Sequence, residues 1–162
     1  DNAKDMEQDL MEITAHAGAR PSHSVWQGKI VSLSGQDGYL NLDDIEYGEV
    51  TGFQGANCRH NWYPFFKGIS ERQYTEKELK NIDPDPFEYE GKEYTYYEAT
   101  QKQRQIERNI RKYKRRSVMY KEVGDEKMLL ASQARLHSHR RLYREFSKAG
   151  KLKVKNFNLY IK

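Results

Sequence analysis

The 162-residue sequence predicts an α+β fold: a small mixed or antiparallel sheet bearing loop-rich polar motifs, with a long, basic, antiparallel helical hairpin packed on it or projecting from it. Three observations lead there. Two stripes stepping alternately by four and three residues run through the C-terminal half, joined by Val123-Gly124-Asp125. Short strand-like runs bounded by Gly, Pro, Asn and Asp occur in the N-terminal half and again at the chain end. Among them lie two polar blocks, residues 16–29 and 55–65, that follow neither a helical nor a strand period.

Residues 3–14 read as the end of a helix, because Met6, Leu10 and Ile13 recur at spacings of four and three. His16-Ala-Gly-Ala-Arg-Pro21 stops it, with Gly18 and Pro21 as breakers. Ser22 is then a candidate cap for a helical turn through Ser24-Val25-Trp26. Lys29-Ile-Val-Ser-Leu33 has strand character, and Ser34-Gly-Gln-Asp-Gly38 closes it as a turn. The Gly- and acid-rich stretch from Tyr39 to Gln54 has no sustained period and reads as loop, with room for one short strand or helical turn.

Residues 70–79 look like a helix start, Thr75 and Glu78 matching a capping box, and Asp83-Pro-Asp-Pro86 ends it. Phe87 to Tyr94 alternates aromatic and charged residues around Gly91-Lys92, the pattern of a β-hairpin. The first helical stripe is Ala99, Gln103, Ile106, Ile110, Tyr113, Ser117 and Tyr120; the second is Leu129, Ser132, Leu136, His139, Tyr143 and Phe146. Gly150 stops the second helix. Residues 151–162 alternate apolar and polar side chains, which predicts a strand returning to the sheet. The expected organisation is an α+β domain over 1–96, the basic hairpin over 97–150, and the strand over 151–162.

With 36% hydrophobic and 32% charged residues, the chain is expected to have a modest core and much solvated helix surface. Twelve Tyr and six Phe compensate in part, since each buries a large area. No apolar run approaches the length of a membrane span, so no membrane partner is expected. The acidic start lacks the basic and apolar regions of a signal peptide, and without an initiator Met the chain reads as a piece of a longer protein. A single cysteine, Cys58, excludes an internal disulfide and fits a reducing compartment.

The net charge of +4 conceals an asymmetry. Residues 1–96 carry nine Lys and Arg against eighteen Asp and Glu, and residues 97–162 nineteen against six. Either the halves dock on each other or the basic one faces a polyanion. Residues 97–122 hold nine of those cations against three Glu, an excess that i,i+4 pairing cannot neutralise. Lys102, Arg104, Arg108, Arg111, Lys112, Arg115 and Arg116 are therefore the candidate contacts to DNA or another anionic partner.

The polar blocks admit three readings. As a structural knot, Arg20, Ser22, His23, Trp26, Gln27, Asn57, Cys58, Arg59 and His60 pin irregular loops: arginines bond loop carbonyls, histidines act as satisfied donors, and Trp26 and Trp62 fill the core. This reading is preferred, and it requires no cofactor. A zinc site would use His16, His23, Cys58 and His60, although His-x6-His and Cys-x-His are not the tight pairs typical of zinc motifs. A metal-independent nuclease or toxin domain would use His16, His23 and His60 as acid and base, with Arg20 and Arg59 on the phosphate.

Three ordered motifs resemble a known family: His16-Ala-Gly-Ala-Arg-Pro-Ser-His-Ser-Val-Trp-Gln-Gly-Lys29; Gly55-Ala-Asn-Cys-Arg-His60 with Tyr63-Pro-Phe65; and Tyr97-Glu-Ala-Thr-Gln-Lys-Gln-Arg104 with Glu107-Arg108 and Ile110-Arg111. In these the chain is similar to the type 2 minor capsid proteins of tailed phages, relatives of the Mu F-like head morphogenesis proteins. The resemblance implies a virion protein, present in few copies, and the favoured reading is a non-enzymatic component that contacts portal or capsid subunits and DNA. It further implies a role in head assembly, DNA packaging or ejection, with assembly in the bacterial host cytoplasm. Family members carry a helical region before these motifs, so the chain is expected to be a C-terminal portion.

Overall fold

The computed structural model describes residues 8–160, apart from the side chains of Phe157 and Asn158. The architecture is α+β, in two compact units that divide between Pro84 and Asp85. Up to Pro84 the sequence carries eight Lys and Arg against fourteen Asp and Glu; beyond it, twenty against ten.

The first unit is built on a three-stranded antiparallel sheet of β1 (Leu10–Ile13), β2 (Ile30–Ser32) and β3 (Trp62–Pro64), with β1 in the centre. Met11 lies opposite Val31 on one side and Pro64 on the other, and Ile13 opposite Trp62. The helix expected over residues 3–14 is thus corrected: its Leu10–Ile13 part is a strand, and residues 3–7 lie outside the described residues. All four β1 residues are buried, so the period-two alternation of a half-exposed strand is absent. Met11 and Ile13 join Trp26, Val31, Ile45 and Phe53 in the core. Glu12 points to the opposite face, where its carboxylate accepts from Arg72 Nε at 3.0 Å and from the Gln73 backbone N–H.

Two short helices complete this unit. In α1 (Pro21–Ser24), Arg20 is the N-cap and Pro21 opens the first turn, so the helix starts earlier than a Ser22 cap would place it. Helix α2 (Glu76–Lys80) carries the expected Thr75/Glu78 capping box. Gly28, with φ +68°, turns the chain into β2; its N–H donates to Ile13 O, and a Cβ there would lie 2.5 Å from Leu79 Cδ2. The stretch 39–54 is loop, tied to β2 by an isolated bridge between Val31 and Leu40.

The second unit begins with the expected hairpin, β4 (Phe87–Tyr89) and β5 (Lys92–Tyr94). Helices α3 (Tyr96–Glu122) and α4 (Glu126–Ala149) follow, started by a Thr95/Glu98 capping box and by Asp125, which accepts from Met128 N–H. The expected stripes face inward, with Ala99, Gln103, Ile106 and Ile110 buried on α3 and Ser132, Tyr143 and Phe146 on α4. Phe87, Tyr89 and Tyr94 pack around Phe146 with centroids 5.2–5.5 Å away. Gly150 permits this closure, since a Cβ would meet the Phe87 ring at 2.5 Å.

The strand expected over 151–162 is also corrected. Residues 156–159 form a 3₁₀ turn, no strand occurs among the described residues there, and residues 161–162 lie outside them. Leu152 fills the helical core, Gln103 Nε2 donates to Lys153 O at 3.2 Å, and Lys155 N–H donates to Tyr143 Oη at 3.1 Å. Side-chain groups from the helices take the place of a neighbouring strand, which is why the alternation misleads.

Candidate functional site

The two polar blocks meet at one end of the β1–β3 sheet. His16 follows β1, His23 lies on α1, and Cys58 and His60 precede β3. The β1–β3 register, extended by Thr14 N–H donating to Asn61 O at 2.8 Å, brings residue 60 beside residue 16. The His16 and His60 rings stack at 4.3 Å, His60 lies 5.3 Å from His23 and 4.8 Å from Trp26, and Trp26 rests edge-on against Phe53. His23, Trp26, Gln27 and His60 are buried, whereas His16 and Cys58 are half-buried.

Hydrogen bonds define most of the protonation pattern. His23 Nε2 lies 2.7 Å from Thr51 O, and a carbonyl only accepts, so that nitrogen carries the proton. Gln27 Oε1 accepts from the His16 backbone N–H at 3.1 Å, which orients the amide. His60 Nε2, 3.3 Å from the same oxygen, must therefore also donate. The remaining His60 nitrogen, Nδ1, faces Cys58 Sγ at 3.6 Å. Arg20 donates to Thr51 O at 3.0 Å and Ala56 O at 2.8 Å; Arg59 Nη2 lies 3.2 Å from His16 Nδ1.

Burial lowers the pKa of His60 to about 3, with the charges of His16, His23 and Arg59 adding to the effect. The same cause, desolvation, lowers His23 below its ordinary value, against the Thr51 carbonyl, which raises it. Both rings are neutral near pH 7, so neither is poised to exchange protons with a substrate there. Ser22 and Asn57 lie at the surface outside this cluster, Asn57 in the left-handed region with φ 61°.

The basic residues form a separate feature on α3. Arg104, Arg108, Lys112, Arg115 and Arg116 are exposed, while Lys102 and Arg111 are half-buried. Lys114 turns inward and donates to Leu159 O at 2.5 Å. On α4, Arg141 and Glu145 form an i,i+4 ion pair at 3.9 Å.

Sequence reasoning did not single out Glu12 or Arg72, and it named Glu107 and Tyr143 without pairing them. Buried Glu107 accepts from Tyr143 Oη at 3.0 Å between the helices, and Arg72 also reaches Gly28 O. A lone acidic residue in an apolar run was the only available signal for Glu12. Nothing in the chain order points to an arginine sixty residues later.

Comparison with known proteins agrees with this pattern of motifs. The profile of the family described as phage minor capsid protein 2 matches residues 1–148. A structural protein of Lactococcus phage LL-H is 30% identical over 132 residues, covering 75% of this chain and 32% of that protein. A structural protein of Lactococcus phage mv4 is 30% identical over 91 residues, covering 54% of this chain and 62% of that protein. The chain therefore spans about a third of one relative and somewhat under two thirds of the other. No solved structure matches. With nearly the whole chain matched, motifs and helical hairpin included, it belongs to the phage minor capsid protein 2 family.

Proposed function

We propose that this chain serves in the virion as a head-assembly component associated with the portal or capsid, and that its basic hairpin contacts the phage DNA. The observation that carries the DNA reading is the exposed cationic face of α3. Arg104, Arg108 and Arg115 lie at helical spacing over about 16 Å of axis, a distance over which duplex DNA presents about ten phosphates. Protein contact is supported by the hairpin tip, where Val118, Met119, Val123 and Leu130 are all at least half exposed. Among the described residues no helix is long and apolar enough to cross a membrane.

The histidine cluster supports a structural rather than a catalytic part. A metal-independent nuclease needs ring nitrogens that gain and lose protons near neutral pH, and His60 and His23 are held neutral by burial. Their hydrogen bonds go to the protein's own loops.

Binding of a short DNA duplex by the purified chain, measured over a range of salt, tests the DNA contact. The log of the binding constant is expected to fall linearly with log salt. Arg104→Ala, Arg108→Ala and Arg115→Ala together should make that slope shallower by about 2.7. Binding with an unchanged slope in the triple variant, or no binding at low salt, would remove this reading.

A further inference from the structure

We propose that His23, Cys58 and His60 form a zinc(II) site in which two imidazole nitrogens and one thiolate tie α1 to the segment entering β3. One ligand atom from each of the three residues lies within 4.8 Å of the other two. The 3.6 Å between Cys58 Sγ and His60 Nδ1 equals the S···N edge of a zinc tetrahedron, about 3.6 Å from the usual bond lengths.

The surrounding hydrogen bonds are those a zinc ligand set requires. A ligating histidine characteristically donates its other ring N–H to a carbonyl or carboxylate, which fixes the tautomer and the ring. His23 Nε2 donates to Thr51 O, and His60 Nε2 donates to Gln27 Oε1, itself anchored by the His16 N–H. Each ring is left with an Nδ1 lone pair. On metal binding, Cys58 alone gives up a proton, its S–H hydrogen passing to solvent as the thiolate takes the metal.

His16 Nε2, in the ring stacked on His60, is buried and has no hydrogen-bond partner among the described residues. A mixed nitrogen and sulfur set suits zinc better than magnesium or calcium, which prefer oxygen. The sequence named these ligands within a wider set, but their spacing could not show which of them meet, since they come from two segments, one of them paired through the β1–β3 register.

The test uses the purified chain with zinc and, as a spectroscopic stand-in, cobalt(II). The expected result is about one zinc per chain retained through desalting. The cobalt form should show a thiolate-to-cobalt charge-transfer band in the near ultraviolet. Cys58→Ser should abolish that band and weaken zinc binding at least about tenfold, measured against a chromophoric chelator. Gln27→Ala, which removes the outer hydrogen bond of His60 together with the acceptor of the His16 N–H, should weaken it about 10- to 100-fold. His137→Ala, on the exposed surface of α4, should leave it unchanged. The proposal is overturned if the folded chain, checked by circular dichroism, takes up neither metal. It is equally overturned if uptake survives unchanged in Cys58→Ser and His60→Ala.

Discussion

His60→Ala is expected to lower the stability of the first unit by about 2–4 kcal/mol, near the lower end of the range for deleting a buried ring. The side chain is only 5% exposed, so truncation opens a cavity bounded by His16, His23 and Trp26. It also takes one of the two donors from Gln27 Oε1 and the ring partner from Cys58 Sγ. Both tryptophans, Trp26 and Trp62, lie in this unit, so fluorescence during urea titration reports its unfolding without interference from the hairpin. The urea midpoint should fall with little change in slope. His137→Ala, exposed on α4, should leave the tryptophan transition where it is. A His60→Ala midpoint within experimental error of the parent would mean that the ring does not hold these loops together.

Acidification should destabilise the same unit, and the sign follows from proton counts. An unfolded histidine titrates near 6.5, whereas His60 in the folded chain does so at about 3. Between those values the unfolded state binds a proton that the native state does not, so stability falls as pH is lowered. The full contribution is present above pH 6.5 and is lost progressively as pH falls toward about 3. The slope from one such group approaches about 1.4 kcal/mol per pH unit in mid-window. His23, lowered by burial, acts in the same direction. Urea titrations between pH 7 and 4, in the presence of a chelator, measure this through tryptophan fluorescence. In His60→Ala the dependence should become shallower. A parent stability that stays level from pH 7 to 4 would show that the rings are not held neutral.

The legible parts of this chain were those in which one local rule acts alone. The hairpin helices could be read because Ala99, Ile106 and Ile110 sit on a simple buried stripe and because Gly124 turns the chain between them. Thr75 with Glu78 is a capping box whatever surrounds it. Strand β1 was hidden because burial on both faces erased its alternation, and the spacing of Met6, Leu10 and Ile13 happens to fit a helix. Strand β3 was hidden inside a polar block, where Trp62 packs inward while Tyr63 and Pro64 are exposed.

The candidate site was legible as an inventory but not as a geometry. His16, His23, Cys58 and His60 stood out by residue type, yet their meeting depends on Ile13 lying opposite Trp62. The Thr51 carbonyl, which accepts from both His23 and Arg20, is a backbone group and leaves no trace in residue identity. The basic face was visible from charge alone, because α3 carries far more cations than its acidic residues can pair.

The central claim is that His60 is a neutral, Nε2-protonated ring built into a buried frame. Histidine-selective ¹⁵N chemical shifts, followed from pH 7 downward in the chelator-treated chain, test it directly. The predicted result is a single Nε2–H tautomer for His60 at pH 7, with no protonation in the folded state before acid unfolding. A His60 signal that titrates in the folded chain near pH 6.5, passing between tautomers, would contradict the claim and return the cluster to the chemistry of proton transfer.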